Sequence, residues 1–169
     1  GSDRKPKKAY RELQSLFSRP LKLSLKKAPE VSVVVATYNG SRTLEACLQS
    51  LVELDYPHYE VIVVDDGSTD RTPEIIRAYP TVKFIRRPSN QGLSVARNVG
   101  IAAATGEIVA FTDSDCIADK DWLNYLVQTL ESGDYAAVGG PNISPPAHDH
   151  IQACVAAAPG SPSHVLLTD

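Results

Sequence analysis

The sequence lacks any apolar run approaching the roughly 18 residues that a membrane-spanning helix needs. It has no CxxC pair, and its three cysteines, Cys47, Cys116 and Cys154, form an odd and widely spaced set. That excludes a zinc ribbon and argues against a disulfide framework, so a reducing, cytoplasmic setting is expected. Ten glycines and twelve prolines among 169 residues are too few for a collagen-like or Pro/Gly low-complexity chain. No signal-peptide pattern opens the sequence and no internal repeat divides it; Gly1-Ser2 reads as an expression-tag scar.

What is present describes an ordinary globular protein. Hydrophobic residues make up 43% and charged residues 22%, and the length suits one domain with a real core. A net charge of −3 hides an asymmetry. Residues 1–27 carry nine Lys or Arg against two acids, a charge of +7, whereas the remaining 142 carry eight against eighteen, a charge of −10. An acidic body argues against nucleic-acid binding, which needs a basic face to neutralise phosphates. The basic segment, residues 1–29, is expected as a linker or as a helix built on Tyr10, Leu13, Leu16 and Phe17 and stopped by Pro20. Such a helix would permit peripheral association with an anionic membrane face.

From Pro29 onward strands and helices alternate. Val31–Ala36 is a mostly β-branched run, as expected of a strand buried on both faces. Leu44, Cys47, Leu48, Leu51 and Val52 give one apolar helical stripe, and Glu60–Val64 a second buried strand. Pro73 starts a short helix ending near Tyr79, and Val82–Ile85 reads as a third strand. Ser94 caps a helix that Thr105-Gly106 terminates. Glu107–Thr112 is a fourth strand, Asp119 caps a helix carrying Trp122, Leu123, Leu126, Val127 and Leu130, and Tyr135–Val138 is a short fifth strand. The alternation predicts an α/β fold, a Rossmann-like, mostly parallel sheet with helices on both faces, whose ligands sit beyond the carboxyl ends of the strands.

Three polar clusters fall at those ends: Thr37-Tyr38-Asn39-Gly40, Asp65-Asp66-Gly67-Ser68-Thr69-Asp70, and Asp113-Ser114-Asp115. Five carboxylates on one rim repel one another unless a cation or hydrogen-bond donors compensate. Hard oxygen ligands of this kind suit Mg²⁺ or Mn²⁺ shared with a diphosphate. Tyr38 offers a flat face for a nucleobase.

Spacing tests three other classes. A receiver domain needs a lysine on a later strand, and none follows Lys120. A haloacid-dehalogenase phosphatase needs a downstream lysine and a further acidic pair, but past Asp134 only Asp149 and Asp169 remain. A nicotinamide dehydrogenase needs GxGxxG after its first strand, where Ala36-Thr37-Tyr38-Asn39-Gly40 stands instead. Walker A, HExxH and GxSxG are absent, and His148 and His150 read as solvated loop residues.

VSVVVATYNG, VIVVDDGSTD, NQGLSVARNVGIAAATGEIVAFTDSDC and VGGPN, in that order, resemble the family 2 glycosyltransferases from about Val31 to Asn142. The resemblance implies the GT-A fold and an inverting transfer of sugar from a nucleotide-diphosphate sugar, a UDP-sugar first among candidates, with Mn²⁺ or Mg²⁺ as cofactor. It places Thr37 and Tyr38 in the base pocket and Asp66 as acceptor for the nucleobase edge. Asp113 and Ser114 would lie near the ribose and diphosphate, with Asp115 on the metal together with Asp113. Arg97 would lie near the same pocket, or else serve as a structural ion pair for Asp65 or Asp113.

Relatives place their catalytic base well beyond the Asp-x-Asp motif, so the base is expected beyond Asp169. Residues 30–142 are then the nucleotide-sugar-binding core, and the Pro/Ala/Ser/His-rich residues 143–169 begin an acceptor half that this sequence lacks. Gly40 stands where many relatives carry an acidic residue. Two alternatives stay open: a noncatalytic nucleotide-binding or interaction module, and a nucleotidyltransferase. The acceptor is not fixed by the sequence.

Overall fold

The computed structural model describes residues 28–140. The helix built on Tyr10 to Phe17, the third cysteine, Cys154, and the tail with His148 and His150 lie outside the described residues. The chain divides into two units, and the one within Leu25–Asp134 carries every strand and helix described. Its strands are β1 (Val31–Thr37), β2 (Tyr59–Asp65), β3 (Lys83–Arg86) and β4 (Ile108–Asp113). Its helices are α1 (Leu44–Val52), α2 (Thr72–Arg77), α3 (Leu93–Ala103) and α4 (Trp122–Glu131). Among the described residues, none of these helices is long and apolar enough to cross a membrane.

The four strands form one wholly parallel sheet in the order β3-β2-β1-β4. All seven residues of β1 are buried, as its β-branched run requires of a central strand covered on both faces. Alternate residues then serve opposite layers. Val31, Val33 and Val35 pack with Leu44, Leu48 and Leu51 of α1, Ile76 of α2, and Leu123 and Val127 of α4. Val34 and Ala36 face the other way, with Ile62, Val64 and Ala96 of α3. The expected sheet with helices on both faces is therefore present.

On the α3 side the packing is close enough to demand a glycine. A Cβ on Gly100 would overlap Cγ1 of Val34 and stand 3.3 Å from Cγ2. Val34 is stiff and 1% exposed, so it has nowhere to retreat. Gly100→Ala gains about 1 kcal/mol of helix propensity but meets about 1–3 kcal/mol of overpacking. A lower midpoint in urea is the expected result, and a midpoint at or above that of the parent chain would show that α3 has room to move.

Three expectations are corrected. Tyr135–Val138 is not a strand, and Tyr135 is 57% exposed. Among the described residues no neighbouring strand pairs with it, so β propensity alone earns no ladder of hydrogen bonds. Ser94 does not cap α3: the cap is Gly92, with φ 96°, and Ser94 lies inside the first turn. That helix start is instead held from β2, because the N–H groups of Gln91 and Gly92 donate to Oδ2 of Asp66 at 2.9 and 2.8 Å. Asp119 does not cap α4 directly. Asp121 is the cap, and Asp119 accepts the N–H of Asp121 through Oδ1 at 2.9 Å, turning the chain into the helix.

Candidate donor-binding site

The chain runs from β1 through β2 to β3 in one direction, then returns past β1 to β4. The boundary between β1 and β4 is therefore the switch point, where ligands of open parallel sheets sit. The register pairs Ala36 with Asp113 and Thr37 with Asp65, so three strand ends lie level. An open cleft of about 530 Å³ lies here, lined by Ala36, Asn39, Gly40, Arg42, Thr43, Leu93, Asp113, Ser114 and Asp115.

The loop after β1 is fixed by the loop after β2. Asn39 adopts φ 52°, a left-handed conformation that asparagine tolerates. It donates its N–H to Oγ of Ser68 at 2.8 Å and accepts the N–H of Thr69 through Oδ1 at 2.9 Å. Asp70 accepts from Ser41 N–H at 3.1 Å and from the N–H and hydroxyl of Thr72 at 3.0 and 2.6 Å. Desolvation opposes the Asp70 carboxylate, but these hydrogen bonds from Thr72 and Ser41 outweigh it and hold its pKa at about 2.

The repulsion expected among five carboxylates is mostly relieved within the chain. Asp65 is fully buried; its Oδ1 accepts Ser68 N–H at 2.9 Å, and Arg86 Nε stands 3.6 Å from Oδ2, an ion-pair distance too long for a hydrogen bond. Asp66, also buried, accepts from Arg87 at 2.5 Å besides the two N–H groups at the start of α3. Asp113 accepts from Arg97 Nη2 at 2.8 Å, and the Arg97 guanidinium lies 5.9 Å from the Phe111 ring centroid. Of the two structural partners considered for Arg97, the structure selects Asp113. Of the five, only Asp115 has neither a cationic partner nor an N–H or hydroxyl donor among the described residues; its Oδ1 meets the Cys116 thiol at 3.8 Å.

The acidic turn is held from behind. The carbonyl of Asp113 accepts the Cys116 N–H at 3.1 Å and the Cys47 thiol at 3.6 Å. Burial pushes the Cys47 thiol up to about 12, with Cys116, Asp115 and Asp113 adding to the shift, so it stays a protonated donor.

Of the residues singled out from the sequence, Asp113, Ser114 and Asp115 line the cleft, while Thr37, Tyr38, Asp66 and Arg97 do not. Thr37 is buried with its hydroxyl unpartnered, and Tyr38 is 48% exposed next to Asn39 of the cleft wall. Asn39 falls in the first strand-end cluster without a role of its own, and Arg86 and Arg87 escaped the sequence reading. Arg86 is the last residue of β3 and Arg87 follows it, so the strand-end rule that found the acids also marks them.

Residues 32–151 match the family described as Glycosyl transferase family 2. Glycosyltransferase AglE of Haloferax volcanii is 39% identical over 118 residues, which are 66% of this chain and 39% of that protein. Among solved structures, S. aureus TarS 1-349 in complex with UDP-GlcNAc is 36% identical with a TM-score of 0.57, covering 61% of this chain and 31% of that one. Mannosyltransferase PcManGT from Pyrobaculum calidifontis, in complex with GDP-Man and Mn²⁺, is 32% identical with a TM-score of 0.57, covering 71% and 38%. This chain thus spans well under half the length of the relatives it matches.

Proposed function

Because the chain belongs to glycosyl transferase family 2, we propose that it binds a nucleotide-diphosphate sugar, a UDP-sugar first, together with Mn²⁺ or Mg²⁺ in the cleft between β1 and β4. The bound donor would serve transfer of its sugar to an acceptor hydroxyl with inversion. One observation carries this reading: among the described residues Asp115 is a carboxylate without a cationic partner, on a turn hydrogen-bonded at the switch point. Every other carboxylate of the rim has its hydrogen bonds or its arginine, which leaves this one for a cation from outside.

The donor set fits such an ion. Among the described residues no cluster of three or more His, Cys, Asp or Glu could enclose a metal by itself. Asp115, joined by the Asp113 oxygen that Arg97 leaves free, suits an ion held by one or two carboxylates and completed by diphosphate oxygens and water. Such an ion supplies neutralisation of the charge growing on the diphosphate as the sugar leaves. Cys47 and the Cys116 amide fix the turn, and Arg97 orients Asp113. Tyr38 presents a face to the nucleobase. Asp66 has used three of the about four acceptor directions of a carboxylate, which leaves one for the base edge. Inversion further requires a carboxylate base on the acceptor side, opposite the leaving diphosphate.

Calorimetric titration of UDP and of GDP into the chain, with Mn²⁺ and then with EDTA, tests the reading. Binding of one of them that weakens in EDTA is the expected result. Metal-independent binding would remove the acidic turn from the site, and no binding of either nucleotide would overturn the donor assignment.

A further inference from the structure

We propose that Arg42 is a donor-recognition residue that contacts the distal, sugar-bearing phosphate of the diphosphate; this rests on the donor-binding reading above. Arg42 lines the same cleft as Asp113, Ser114 and Asp115, from the loop between β1 and α1. Three other arginines beside the acidic strand ends are committed: Arg86 to Asp65, Arg87 to Asp66 and Arg97 to Asp113. Arg42, the arginine among the cleft-lining residues, has neither an ion pair nor a side-chain hydrogen bond among the described residues, although it shares its cleft with Asp115.

The surroundings make Arg42 a usable contact rather than a loose surface charge. Its loop is anchored on both sides, by Ser41 N–H on Asp70 at 3.1 Å and by Thr43 and Leu44 N–H on the Gly40 carbonyl at 3.1 and 3.0 Å. The base of the side chain is therefore fixed while the guanidinium stays free. Gly40 lines the same cleft. A Cβ there would overlap the Thr37 hydroxyl, which is buried and without a partner, and stand 3.5 Å from Ser114 Oγ. The absence of a side chain at Gly40 thus leaves room in the cleft next to the Thr37 and Ser114 hydroxyls.

The chemistry calls for a cation at this position. A cleft bearing only carboxylates repels a diphosphate, and one ion on Asp115 offsets only part of that charge. A planar guanidinium can bind two phosphate oxygens at once, a geometry that lysine lacks.

Titrations of UDP, UMP and uridine in Mn²⁺ into the parent chain, Arg42→Ala and Arg42→Lys test the assignment. Arg42→Ala should weaken UDP by about tenfold, the scale of a charge-assisted hydrogen bond, while changing UMP less and uridine not at all. Arg42→Lys should recover part of the loss. Arg42 is exposed and unpaired, so both variants should melt with the parent chain. Unchanged UDP affinity in Arg42→Ala, or equal losses for UDP and UMP, would overturn the distal-phosphate contact while leaving the donor reading intact. A parent chain that takes neither UDP nor GDP would overturn the donor reading, and this proposal with it.

Discussion

Arg87→Ala is expected to destabilise the chain by about 3 kcal/mol, as when a buried ion pair loses one partner. The Arg87 and Asp66 side chains are 12% and 4% exposed, so neither charge can turn to water. Two backbone N–H groups would remain on Asp66, which keeps the cost below that of a wholly stranded carboxylate. The measurement is a urea titration of the parent, Arg87→Ala, Asp66→Asn and the double variant. A coupling energy above about 1 kcal/mol would identify the pair as a unit. A loss in Arg87→Ala no larger than the few tenths typical of surface changes would mean that the guanidinium serves ligand rather than fold. Because Asp66 also holds the start of α3, the same variant should loosen residues 87–92 first, readable as faster amide exchange there than in β1.

The central strands were legible because burial on both faces demands a continuous β-branched run, and VSVVVA and VIVV satisfy it without reference to anything distant. Their observed ends differ from the expected ones by about one residue, as hydrogen-bond ladders reach slightly past the apolar run. Tyr135–Val138 has the same local character and is not a strand, since a strand exists only by pairing and that partner is invisible in a short segment. The Ser94 cap failed for a related reason. Its hydrogen-bonding role is filled by Asp66, 28 residues earlier in sequence but adjacent in space.

The rim shows the same division. Strand-end placement found Asp65, Asp66, Asp113 and Asp115 together, because a parallel sheet puts all its carboxyl ends on one side. Which acid meets which arginine was not legible. Arg87 reaches Asp66 from the end of β3, and Arg97 reaches Asp113 from α3, so both pairings depend on sheet order rather than on spacing. Sheet order therefore decides which carboxylate is left over, and the leftover one is what a metal could use.

Asp115→Ala should separate stability from binding. The residue is exposed and has no cationic partner among the described residues, so the fold loses little without it; removing one negative charge from the rim should leave the melting temperature unchanged or slightly raised. Affinity for UDP in Mn²⁺ should instead fall at least about tenfold, since loss even of a residue that only supports a metal ligand typically costs 10–100-fold, and EDTA should cause no further loss. An unchanged or raised melting temperature beside a weakened affinity marks a residue kept for a ligand rather than for the fold. Arg97→Ala provides the contrast: Asp113 would lose its ion pair, and metal-dependent binding should weaken less than in Asp115→Ala because both carboxylates remain. Asp115→Ala binding UDP as tightly as the parent in Mn²⁺ would remove the metal from this turn, and the unpaired carboxylate would need another explanation.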